Sequence, residues 1–153
     1  MGYSYEESED LALLRETVAK FARSEILPVA KELDETESFS MPLTKKMGEL
    51  GLMGTIVGQD YGGQGMDYIS YIVCVEELAR IDGSQAATIA AHNSLGAGPL
   101  YYYGTEEQKK SICQIFAAER VYGLLVLRKL ALVVMPRRVK QLLGLIVRQM
   151  NGL

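Results

Sequence analysis

Apolar residues along this chain recur mostly with a helical period. Leu11, Leu14, Val18, Phe21 and Ala22 fall on one face of a helix over 8–26, with Glu16, Lys20 and Arg23 elsewhere. Ser8 suits the N-cap, with Glu9 and Asp10 in the first turn. Pro28 should interrupt this pattern, and a short second helix should follow through Glu32 to Glu35. A third helix is predicted from Pro42 to Leu50, stopped by Gly51 in a left-handed turn. The glycine-rich stretch 54–65 reads as a loop with a short extended piece. Asp67 then caps a nearly all-apolar helix whose main polar stripe is Glu76, Glu77 and Arg80, so most of that helix should be buried. An apolar helix over 84–103 should bend at Gly96, Gly98 and Pro99. Thr105 and Gln108 form a capping box for a last helix reaching about Glu119. Short connections and no convincing strand predict an all-α bundle of about six helices over 8–120.

Composition changes this picture only at the end of the chain. The 153 residues, 48% hydrophobic and 23% charged, suit one ordinary globular domain. Cys74 and Cys113 lie far apart in no metal-binding spacing and read as reduced thiols. No zinc-protease, P-loop or serine-hydrolase motif occurs, and no metal or nucleic acid is expected. The acidic opening carries neither a signal nor a transit pattern, and Glu6 breaks the myristoylation motif, so a cytoplasmic protein is expected. Charge, however, is split. All 19 acidic residues precede position 124, while the last 30 residues hold six Lys and Arg and no acid. Such a break marks a different module or a different origin.

Isolated motifs carry little chemistry. Tyr61-Gly62-Gly63-Gln64-Gly65 follows no strand, so a tight turn explains its glycines better than a nucleotide cradle. His92, alone on an apolar helix, reads as a core residue. Glu76 and Arg80 are spaced to pair on a helix surface, and tyrosines 101–103 read as packing.

The order of segments is more informative. ELGLMG (49–54), DYGGQG (60–65), EELARIDGS (76–84), AHNSLGAGP (91–99) and YGTEEQK (103–109) together resemble the N-terminal helical domain of acyl-CoA dehydrogenases, short- to medium-chain-like, over roughly 8–123. The resemblance implies a helical domain followed by a β domain holding FAD and a second helical bundle with a catalytic glutamate. The implied reaction is α,β-desaturation of acyl-CoA thioesters, with electrons passing to an electron-transfer flavoprotein, in a tetramer-like homo-oligomer. By register on NSLG, Thr88, Ala91 and Leu95 match positions lining the acyl-chain pocket. No residue of this chain matches the catalytic base, the flavin site or a metal site. An inactive fragment that binds no FAD is therefore expected, with domain 1–123 followed by a tail, 124–153, that is no domain.

The tail reads as a shifted frame. Members of the family continue with a pattern like AFGLTEPxAGSDA, whereas this chain continues GLLVLRKLALVVMP. Codons for G-AFGLTEAGAGSDA that open on a run of G give the observed string, residue for residue, when one G is lost. Met135-Pro136 allows only GCC, alanine, in the alternative frame, and Met150-Asn151 allows only GAA, glutamate. Both suit the family's pattern under one shift. The alternative is a helical binding module with a genuine basic tail lying on an anionic membrane surface. Arg128-Lys129 and Pro136-Arg137-Arg138 break any apolar run long enough to span a bilayer.

Overall fold

The computed structural model describes residues 7–110. Local signals set the helix starts: Ser8, Ser40, Asp67, Asp82 and Thr105 each accept a backbone N–H of the first turn through their side chains. Helix α1 (Glu9–Phe21) does not stop before Pro28. It passes through a wide π turn, Ala22–Ile26, into α2 (Leu27–Glu35). The turn shifts the backbone pairing just where the proline ring and its missing N–H would break an α-helix, so the expected interruption becomes a continuous run.

Helix α3 spans Met41–Glu49, and Gly51 takes the left-handed conformation (φ +82°) that ends it. The stretch after it contains two single 3₁₀ turns, Leu52–Gly54 and Gln59–Tyr61, and the expected extended piece is absent among the described residues. Its backbone closes on itself instead. Gln64 N–H donates to the Gly54 carbonyl (2.9 Å), Gly65 to Val57 (2.7 Å) and Met66 to Thr55 (2.9 Å). At Gly63 a Cβ would overlap the Val57 carbonyl, which is why glycine stands there.

Helix α4 (Tyr68–Ala79) packs against α1 and against α5 (Gly83–Ala91), which continues through a second π turn, His92–Ala97, into α6 (Gly98–Tyr103). The expected bend is thus a π turn at the glycine-rich site. Helix α7 (Glu106–Gln108) opens with the Thr105/Gln108 capping box. The rest of the predicted last helix, the frameshift reading and Cys113 lie outside the described residues.

The core sits where α1, α3, α4 and α5 converge, with Val18, Ile26, Met47, Leu78 and Ile89 fully buried. Each such side chain contributes about 1.5–3 kcal/mol over remaining exposed. His92 is buried, as expected of a core histidine. Helix α4 departs from expectation. Ile69 and Ile72 are exposed while Glu77 is buried, so the helix turns an apolar flank outward and its carboxylate inward. Among the described residues no helix is long and apolar enough to cross a membrane.

Candidate functional site

Two regions of the described surface have site-like chemistry, one ionic and one apolar. The ionic region centres on Arg15, which α1 aims at the C-terminal end of α4. Its Nε donates to Glu7 (2.9 Å) and its Nη1 to Glu76 (3.0 Å) and Glu77 (2.5 Å). Arg80 completes the cluster, 2.8 Å from Glu76 and 3.4 Å from Glu77. The expected Glu76–Arg80 pair therefore exists but belongs to a five-residue network. Glu76 is held below the ordinary carboxylate range, first by its hydrogen bond to Arg15 and then by Arg80. The three carboxylates push the Arg15 guanidinium further above its already high value.

A cleft of about 970 Å³ beside this network is lined by Lys20, Arg23 and Glu16 as well as Arg15, Glu76 and Arg80. Acids and bases alternate along it, so it presents no single-sign field to a charged ligand. The network reads as a clamp between α1 and α4.

The apolar region lies on the N-terminal half of α4 and on the bent helix that packs against it. The Tyr71 hydroxyl donates to the Ala90 carbonyl (2.9 Å), tying α4 to α5, and the Ser94 hydroxyl donates to the same carbonyl (2.6 Å). Burial is the first cause that raises the Tyr71 phenol. Tyr68 stacks edge-on to Tyr71 (centroids 6.2 Å apart). Ile69 and Ile72 on α4 and Leu95 on the π turn stand open to solvent, and the N-terminal half of α4 carries no charged side chain.

The three expected pocket residues occupy successive turns of the α5–π–α6 run. Thr88 is buried, its hydroxyl donating to the Ser84 carbonyl (2.9 Å). Ala91 is half-buried, and Leu95 is 57% exposed. They form a line from core to surface that ends at the exposed Leu95. Sequence reasoning missed Asn93 between them. Fully buried, its Nδ2 donates to the carbonyls of Leu52 (2.8 Å) and Ile89 (3.2 Å). It fixes the π turn to the chain after α3. A polar residue beside Ala91 and Ala97 on a buried helix was the available signal.

The glycine loop does not fit a flavin. The N–H groups that a pyrophosphate needs are spent on the loop's own carbonyls, and the space a Cβ would fill at Gly63 is occupied by Val57. Elsewhere Gln85 Oε1 and Asn93 Oδ1 are buried acceptors without a partner, too few and too separate to cradle an isoalloxazine. Among the described residues no group of His, Cys, Asp and Glu forms a metal site.

A helical domain with an ionic clamp at the C-terminal end of α4 and exposed apolar residues toward its N-terminal end is what this geometry defines. The chain matches the family described as "Acyl-CoA dehydrogenase, N-terminal domain" over residues 8–120. It is 49% identical over 108 residues to a Bacillus subtilis (strain 168) protein named "Probable acyl-CoA dehydrogenase YngJ", a match covering 71% of this chain and 28% of that one. Identity is 44% over 115 residues to the short-chain specific acyl-CoA dehydrogenase of Clostridium acetobutylicum, covering 73% and 30%. The structure of butyryl-CoA dehydrogenase from Megasphaera elsdenii superposes with a TM-score of 0.72 at 28% identity, over 77% of this chain and 32% of that chain. A chain of the structure titled for the electron transferring flavoprotein of Acidaminococcus fermentans and flavin-based electron bifurcation gives 0.71 at 36% identity. The chain belongs to the acyl-CoA dehydrogenase family. It spans less than a third of the length of these relatives.

Proposed function

We propose that residues 8–120 are the helical wall of an acyl-CoA dehydrogenase's acyl-chain pocket, and that the 153-residue chain alone is inactive. The observation that carries this reading is the line Thr88–Ala91–Leu95, which runs from the core to the exposed Leu95. A fatty acyl chain needs a long wall without charge, and this line offers one. In the intact enzyme the substrate is an acyl-CoA thioester, the cofactor FAD, the electron acceptor an electron-transfer flavoprotein, and the assembly a homo-oligomer. FAD supplies the hydride acceptor in that enzyme. The residues described here would contribute the wall and its exclusion of water, while the catalytic glutamate and the flavin site belong to later domains.

Residues 124–153, in this proposal, are a frameshifted translation and no domain. The family match ends at residue 120, close to the break in charge at Gly123, which supports that boundary.

Resequencing the gene across the Gly123 codon tests the reading. An extra G there restores an open frame with a flavin-binding pattern, and the repaired product should purify yellow and reduce a dye acceptor with butyryl-CoA. The chain as given should be colourless. Flavin absorbance that survives gel filtration of the 153-residue chain would refute the inactive-fragment reading. Flotation of this chain on anionic vesicles, lost when 124–153 are removed, would favour a membrane-surface tail instead.

A further inference from the structure

The N-terminal half of α4 presents an apolar face that the described residues leave open. Tyr68, Ile69 and Ile72 share it, each more than two-fifths exposed. The charge next to it on the helix is Asp67, an exposed N-cap carboxylate with no ion pair among the described residues. An occupant that fits is apolar along its length and cationic at its edges. One stretch of this chain has that chemistry. Residues 124–135 read LLVLRKLALVVM, ten apolar residues around the pair Arg128-Lys129, and no acid occurs from there to the end. A second copy meeting the face with its own α4 is opposed by charge, since residues 7–110 hold 17 Asp and Glu against 9 Lys and Arg. The stretch 124–135 brings the opposite sign.

Reach favours the stretch of another copy over the chain's own. The Tyr61 hydroxyl donates to Glu106 Oε2 (2.6 Å), which holds the start of the last helix beside the glycine loop, and α4 begins where that loop ends. The sequence predicts the last helix to about Glu119, roughly 20 Å further along its axis. Only residues 120–123 then remain as a turn. Four residues span at most about 14 Å, too little to bring residue 124 back to where its helix started. A second copy carries no such restriction. We propose that copies of this chain join head to tail, the apolar and basic stretch 124–135 of one lying on the α4 face of the next. The contact is heterologous: each copy offers one face and one tail, so association does not close at two. It needs no particular origin for the tail, and it stands or falls apart from the acyl-pocket reading.

Mixing two full-length variants in sedimentation velocity tests the contact. The unaltered chain should show a weight-average mass that climbs steadily with concentration and passes that of a dimer. Ile72→Glu blocks the face and keeps the tail. Leu130→Asp combined with Leu132→Asp blocks the tail and keeps the face. Each variant alone should associate about tenfold more weakly or worse, because a carboxylate would be buried in the contact. Mixed in equal amounts, the two should recover association through one intact face and one intact tail, and should stop at a dimer. Circular dichroism checks the helices of Ile72→Glu, and Ile69→Glu replaces it if they are lost. A mixture that stays monomeric overturns the proposal. So does association untouched by the tail variant, the mark of face-to-face contact. A chain that is monomeric at every concentration, as when a tail lies on its own α4, overturns it as well.

Discussion

Asn93 shows how much one buried amide decides. Its two donated bonds satisfy the Leu52 and Ile89 carbonyls, which lie where no water reaches them. Asn93→Leu keeps volume and adds apolar surface, yet strands the Leu52 carbonyl, so it should destabilise by about 2–3 kcal/mol in a urea titration of the full chain. An unchanged midpoint would mean that the turn after α3 relaxes to water. Arg15→Ala should cost a comparable amount, about 1–3 kcal/mol, because it leaves the buried Glu77 with Arg80 alone. Glu77→Gln should recover part of that loss in the double variant, and simple additivity of the two would show that Arg15 acts elsewhere. At Asp67 the effect is one of pH. The Ser70 N–H, accepted at 2.8 Å, holds this capping carboxylate below its ordinary range. A depressed folded value means stability that is present above the unfolded value, near pH ~4, and lost as pH falls through the folded one. Asp67→Asn keeps a capping oxygen but cannot titrate, so the acid limb followed by circular dichroism should become shallower.

Elements were legible where a local rule decides them and obscure where packing does. The caps at Ser8, Asp67 and Thr105 and the stop at Gly51 are chemistry of one or two residues, and each stands where the sequence places it. The π turns are not local in that sense. Pro28 reads as a break, but the helix before it widens into a π turn whose Ala22 and Ile26 are buried in one cluster with Leu43 and Met47 of α3 and Cys74 and Leu78 of α4. Helix α4 misleads for a related reason. A nearly uniform apolar run has little periodicity, so the sequence could not show which flank meets α1 and α5 and which stays open. The tyrosines at 101–103 divide in the same way, Tyr101 and Tyr102 stacking on each other and Tyr101 on Tyr61, with Tyr103 standing in solvent. For the site, Thr88, Ala91 and Leu95 came from the family register. Asn93 and Arg15 depend on contacts 41 and 61 or more residues away, beyond any motif.

At the scale of the whole domain the open flank governs behaviour. Tyr68, Ile69 and Ile72 are all more than two-fifths exposed and share one face of α4, and Leu95 and Tyr102 on the bent helix are exposed as well. Contiguous apolar surface without a partner drives association, since each side chain covered gains roughly 25 cal/mol per Å² removed from water. The 153-residue chain should therefore self-associate with rising concentration, and sedimentation velocity should show a weight-average mass above that of the monomer. Ile72→Glu places a charge at the centre of the flank. Ile72 is 59% exposed, so the change removes little packing, and thermal stability should move by no more than about 0.5 kcal/mol. Association, by contrast, should fall sharply, because burying that carboxylate unpaired against a second copy is costly. Leu13→Glu is the control: Leu13 is 64% exposed on α1, away from this flank, and the same added charge should leave association nearly unchanged. Equal effects from both variants would trace association to net charge alone. An effect confined to Ile72→Glu would identify the exposed apolar face of α4 as the surface that the domain keeps for a partner.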